Sequence, residues 1–107
     1  MEFFLNWLNH AGARPDKFYK TTLWQGEHLM AGLNCLEPGQ TQAVHAHAGA
    51  DKFYFVLEGR GLFTVGDETR EAATGTLIAA PAGVSHGVAN TGAGRLSLLI
   101  AIAPGIK

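Results

Sequence analysis

The sequence predicts an all-β fold, a barrel or sandwich built as one domain. Three observations carry that prediction. From Phe18 onward the chain breaks into short apolar segments divided by glycine and turn residues, the pattern left by closely spaced strands. No stretch beyond residue 20 holds a helical period of apolar residues. Gly66-Asp67, between the apolar segment ending at Val65 and the polar one from Thr69, is a tight-hairpin signal, because glycine reaches the positive φ that such turns require. At 107 residues the chain is long enough to bury one core and too short for two.

Residues 1–17 differ in character from the rest: Phe3, Phe4 and Trp7 precede the polar stretch 9–16. They are expected to form a short N-terminal arm, helical or extended, ahead of a single barrel domain over residues 18–107. Burying an aromatic side chain stabilises by about 1.5–3 kcal/mol, so the arm's aromatics are expected to pack on the barrel or on a second subunit. Strands are expected over 18–24 and 29–36, ended by Gly26 and by Pro38-Gly39. His45 and His47 follow, and residues two apart on a strand point to one face. In the strand 52–57 the same alternation groups Lys52, Tyr54 and Val56 against Phe53, Phe55 and Leu57. The strand 62–65 leads through the hairpin into 69–72, whose polar residues suit an exposed edge. The nearly continuous apolar runs 76–80 and 96–103 suit strands covered on both faces, and the second also suits a subunit contact. Pro81-Ala82-Gly83 makes the bend that delivers His86 to the strand 84–89.

Charge and cysteine content exclude several function classes. The formal net charge is −1, with acidic and basic residues scattered singly, so there is no basic stripe for nucleic acid. Cys35 is the only cysteine, which rules out an internal disulfide and leaves nitrogen and oxygen to hold any metal. The apolar patch near the N-terminus is short, follows Glu2 and lacks a basic leader. The run 96–103 is too short to span a bilayer. A cytoplasmic protein with neither a nucleic-acid nor a membrane partner is expected.

Two clusters stand out when written with their spacings. The first is Gly39, five residues, His45-Ala46-His47, four residues, Lys52, six residues and Gly59; the second is Gly75, five residues, Pro81-Ala82-Gly83, two residues, His86, three residues and Asn90. Together they resemble the paired motifs of the cupin superfamily, over about residues 27 to 104. The resemblance implies a jelly-roll β-barrel in which the inward residues of both motifs face one cavity. His45, His47 and His86 would then converge on one divalent transition metal: zinc, iron, manganese, nickel or copper all accept three neutral imidazoles and leave positions open. Asn90 is expected to brace the turn near His86.

One position departs from the pattern. Where cupins usually place a glutamate ligand, this chain has Lys52. An ammonium about 4 Å from a dication would be repelled by roughly 8 kcal/mol at an effective dielectric of 20. Three arrangements relieve the conflict: the lysine stem carries its charge out to water, the amine loses its proton on burial, or the site holds no metal. The first is the expectation. Asp51 can compensate by pairing with Lys52 or, through a strand distortion, by turning inward as an oxygen ligand. Tyr54 shares the face of Lys52 and is either a pocket phenol or a core residue.

Three functions follow from the resemblance. One is a metal-dependent enzyme of dioxygenase, isomerase or decarboxylase type, acting on a small oxygen-bearing metabolite. Another is a non-catalytic module that binds a small molecule or metal, and the last is a metal-free barrel, for which Lys52 speaks. A homodimer is the expected assembly.

Overall fold

The structure, a computed structural model, describes residues 2–105. Met1 of the expected arm and residues 106 and 107 of the expected barrel domain lie outside the described residues. A short 3-10 turn, Trp7–Asn9, is followed by nine strands: β1 Tyr19–Gln25, β2 Met30–Leu36, β3 Thr41–His45, β4 Asp51–Glu58, β5 Arg60–Val65, β6 Glu68–Ala73, β7 Leu77–Ala80, β8 His86–Ala89 and β9 Leu96–Ala103. They form two antiparallel sheets, ordered β1-β2-β9-β4-β7 and β3-β8-β5-β6. Strands distant in sequence are neighbours in both, as in a jelly roll. No described helix is long and apolar enough to cross a membrane.

Alternation decides which side chains enter the space between the sheets. On β4 the residues Lys52, Tyr54 and Val56 are buried while their neighbours are not. Cross-strand pairing carries that layer over to Ile102, Ile100 and Leu98 of β9 and then to Met30, Gly32 and Asn34 of β2. From the facing sheet, Phe63 and Val88 join Leu36, Tyr54, Val56, Leu96, Leu98 and Ile100 in one core. Tyr54 and Phe63 meet edge to face with ring centroids 5.5 Å apart. Cys35 is buried, as a small apolar side chain should be.

Two turns show why glycine stands where it does. Gly66 has φ +61° between paired Val65 and Glu68, so the predicted hairpin forms with its only positive φ at the first central residue, the type II′ pattern. Gly59 has φ +86° between β4 and β5, and a Cβ there would lie 2.4 Å from the Arg95 carbonyl oxygen. Gly59→Ala therefore meets both strain and a backbone clash. We expect it to destabilise the fold by about 3 kcal/mol, measured as a lowered urea midpoint; a midpoint equal to wild type would mean that this corner relaxes freely.

Two expectations need correction. The run 76–80 was expected to be covered on both faces, yet β7 is the edge of its sheet and Leu77 is 55% exposed. Apolar character alone does not distinguish an edge strand from a central one, because that depends on how many strands pair beside it. β9 does match, lying between β2 and β4. Of the two packings expected for the arm's aromatics, the one on the barrel fails for Phe3 and Phe4, which are 75% and 93% exposed, while Trp7 is half-buried. What fastens the segment that follows is polar: the Gln40 amide donates to the carbonyls of Arg14 and Lys17.

Candidate metal centre

The site begins with a fault in strand β3. Gln42 pairs with Val88 and His45 with His86, so the two residues Ala43 and Val44 stand opposite Gly87 alone. This is a β-bulge. It turns Gln42 and His45, three residues apart, toward the same interior and pushes Val44 out to 58% exposure. Gly87 permits the close approach, since a Cβ there would lie 2.9 Å from the Gln42 carbonyl oxygen.

β3 ends at His45, so the expected strand pair His45 and His47 is not a strand pair. His47 sits in the following loop. Its carbonyl accepts a hydrogen bond of 2.8 Å from the Gly83 N–H, which ties the loop to the Pro81-Ala82-Gly83 bend. His86 opens β8, between His45 of β3 and Val65 of β5.

These three elements bring the imidazoles together. Candidate ligand nitrogens of His45, His47 and His86 all lie within 4.8 Å of one another. Two nitrogens bound to one ion at about 2.1 Å can be at most about 4.2 Å apart, so the widest pair would have to close by about 0.6 Å to hold one ion. Nδ1 of His45 donates to the Ala43 carbonyl at 2.8 Å, and Nδ1 of His86 to the Val84 carbonyl at 3.0 Å. A carbonyl only accepts, so both protons sit on Nδ1 and both Nε2 atoms offer lone pairs. Nε2 of His86 is buried with no hydrogen-bond partner. Such an orphan is destabilising by about 1–3 kcal/mol, and a metal ion would satisfy it. Burial, with lesser contributions from Lys52 and the neighbouring histidines, holds His86 below its ordinary pKa despite the Val84 carbonyl. Burial first, then His45 and Lys52, does the same to His47. Neutral imidazole is the form a metal needs.

The other three pocket candidates separate. Lys52 is 7% exposed, and its Nζ lies 4.5 Å from the centroid of the Tyr54 ring. The expectation that its stem carries the charge into water is overturned, because strand alternation aims residue 52 inward and a cavity receives it. Burial, followed by the charge of Lys20, pulls its pKa from 10.5 down to about 8. Tyr54 is fully buried and donates its hydroxyl proton to Gln42 Oε1, so it supports the site from below. Burial raises its pKa. Asp51 is exposed, and its carboxylate accepts from the Ala82 N–H at 2.9 Å. It is neither a ligand nor an ion-pair partner of Lys52; it braces the bend leading to His86. Asn90 was expected to brace the turn near His86 but braces the opposite end of β8: its amide donates to Leu36 and Gly94, and its oxygen accepts from Gly92, which ties the turn after β8 to the end of β2.

Beside the trio lies a cavity of about 410 Å³ that His45, His47 and Lys52 line together with Lys20, Asn34 and Gln42. Sequence reasoning missed those last three. Gln42 was hidden by the bulge, while Lys20 and Asn34 are cross-strand partners whose shared inward face only the sheet order reveals.

Comparison with known proteins agrees with this architecture. A family model described as a cupin domain matches residues 32–102. The uncharacterized protein SCO3923 of Streptomyces coelicolor is 42% identical over 84 residues, 78% of each chain. The crystal structure of TT1209 from Thermus thermophilus superposes with a TM-score of 0.91 at 40% identity, covering 94% of this chain and 96% of that one. A predicted oxalate decarboxylase from Thermotoga maritima superposes with a TM-score of 0.70 at 26% identity, covering 74% of this chain and 69% of that one.

Proposed function

The chain belongs to the cupin family, and on that premise we propose that it is a metal-dependent enzyme acting on a small oxygen-bearing metabolite. The single observation that carries the reading is the convergence of three imidazoles, one with a buried and unpartnered Nε2. His45, His47 and His86 would hold one divalent ion, zinc, iron, manganese, nickel or copper. When bound, such an ion supplies Lewis acidity or a redox centre to a substrate oxygen.

The chain's own residues do the rest. Hydrogen bonds from Nδ1 fix the orientation of two of the three rings. Tyr54 and Gln42, joined by their hydrogen bond, keep the floor beneath Lys52 rigid. Met30, Ile100 and Ile102 give the cavity an apolar wall, which excludes water from the bound substrate. The likeness to a predicted oxalate decarboxylase supports a small carboxylate-bearing substrate.

A second reading, a barrel that binds a small molecule without metal, is favoured by Lys52, whose buried charge opposes a dication. Elemental analysis of protein purified without an affinity tag or added metal separates the two. We expect close to one equivalent of a transition metal per chain. Less than about a tenth of an equivalent, with no uptake on titration, would sink the enzyme reading.

A further inference from the structure

We propose that the cavity carries an anion subsite formed by Lys52 and Lys20, and that its ligand is a small dicarboxylate spanning from these lysines to the histidines. The proposal deepens the reading above and rests on it only for the second anchor, at the metal.

Lys52 is more than nine-tenths buried, lines the cavity, and has the Tyr54 ring as its neighbour. It makes no ion pair among the described residues. Lys20, on the inward face of β1, lines the same cavity and is near enough for its charge to bear on Lys52. No aspartate or glutamate among the described residues lines it. A buried cation without a counter-ion is costly, and here the natural carboxylate neighbour, Asp51, faces away and is engaged with Ala82. An anionic ligand would supply the missing counter-charge and keep the ammonium protonated.

The walls narrow its class. Met30, Ile100 and Ile102 line the cavity on the sheet that carries both lysines, across from the histidines of the facing sheet, and Asn34 offers an amide. Two separate cationic anchors, the lysines on one sheet and an ion held by the histidines on the other, with an apolar wall beside them, match an anion that is charged at both ends and aliphatic between them. A volume of about 410 Å³ is near the lower end for ligand sites, so the ligand is a short diacid. Lysine in place of an acidic ligand also reverses the charge beside the histidines, which turns the site from one that neutralises its metal into one that requires a dianion to do so.

The test is calorimetric titration of the chain, zinc-loaded and metal-free, with succinate at low ionic strength, with acetate, inorganic phosphate and putrescine as comparisons. Succinate should bind the zinc-loaded chain at least tenfold more tightly than acetate or phosphate do, and putrescine should bind neither form. Lys52→Met should weaken succinate at least tenfold and Lys20→Met several-fold. Because Lys52→Met removes a buried cation, its melting temperature in the metal-free form should equal or exceed that of wild type, which separates lost binding from lost folding. Lys20→Met, at an exposed position, provides a second variant if Lys52→Met does not fold. Equal succinate affinity in wild type and Lys52→Met would overturn the subsite, as would no succinate binding with or without zinc. Tighter binding of phosphate would overturn the dicarboxylate class. If zinc is not taken up yet succinate binding depends on Lys52, the subsite stands and the metal reading falls; if zinc binds and succinate is indifferent to Lys52→Met, the reverse holds.

Discussion

His86→Ala is expected to lower zinc affinity several hundredfold while leaving the barrel folded. Structural zinc sites bind with about 10–16 kcal/mol shared among four ligands, so one ligand accounts for roughly 3–4 kcal/mol, or a factor of several hundred. His86 is the most buried of the trio, at 1% exposure, and its Nε2 has no other partner. Truncation leaves a small cavity but also removes that orphaned nitrogen, so the metal-free fold should lose only about 1–2 kcal/mol. Competition against a chromophoric chelator gives the affinity, and circular dichroism checks the fold. A variant within tenfold of wild type would show that His86 is not a ligand.

Lys52→Glu should have an effect of similar size and opposite sign. It removes a cation and adds an anion at an inward position of β4. At about 6 Å and an effective dielectric of about 20, the new carboxylate is worth roughly 5–6 kcal/mol against a dication, while losing the lysine adds only the small cost of its deprotonation. Desolvating the new carboxylate takes back several kcal/mol, so the expected net gain in zinc affinity is about 100- to 1000-fold. Without metal the glutamate is a buried and unpaired charge, so the melting temperature of the metal-free variant should fall while that of the zinc-loaded variant rises. Lys52→Met should gain only about tenfold, because an amine whose pKa is pulled to about 8 can give up its proton to an incoming ion at pH 7 for about 1.4 kcal/mol. Unchanged affinity in Lys52→Glu would place residue 52 too far from the ion to influence it.

The two substitutions probe parts of the site that were unequally legible. His45, His47 and His86 stood out from the other histidines because of their spacing relative to Gly39, Gly59, Gly75, Pro81 and Gly83. The reason they meet was hidden. A bulge at Ala43 and Val44, not strict alternation, turns Gln42 and His45 to one side, and a bulge changes no residue type. His47 reaches the site from a loop held by Gly83, a contact across distant segments.

Alternation did predict that Lys52 and Tyr54 share a face with Val56, but a period of two says nothing about what lies above that face. Whether an inward lysine reaches water depends on the strands packed against it. Here β2 and β9 supply the wall and Tyr54 the floor, leaving Lys52 7% exposed. Asp51, its neighbour in sequence, ended on the other side of the sheet bracing Ala82, so adjacency in the chain produced no ion pair.

What the sequence by itself determined is the all-β class, most of the strands, the turn at Gly66 and the identity of the three imidazoles. Those follow from local rules: periodicity, glycine's backbone freedom and the spacing of the motif residues. The tertiary structure alone decided that Lys52 is enclosed, that Lys20 and Asn34 face the same cavity, and that Phe3 and Phe4 are left outside. Each of these depends on which strands become neighbours and on which faces they cover. Burial is a property of that arrangement and has no local signature in the chain.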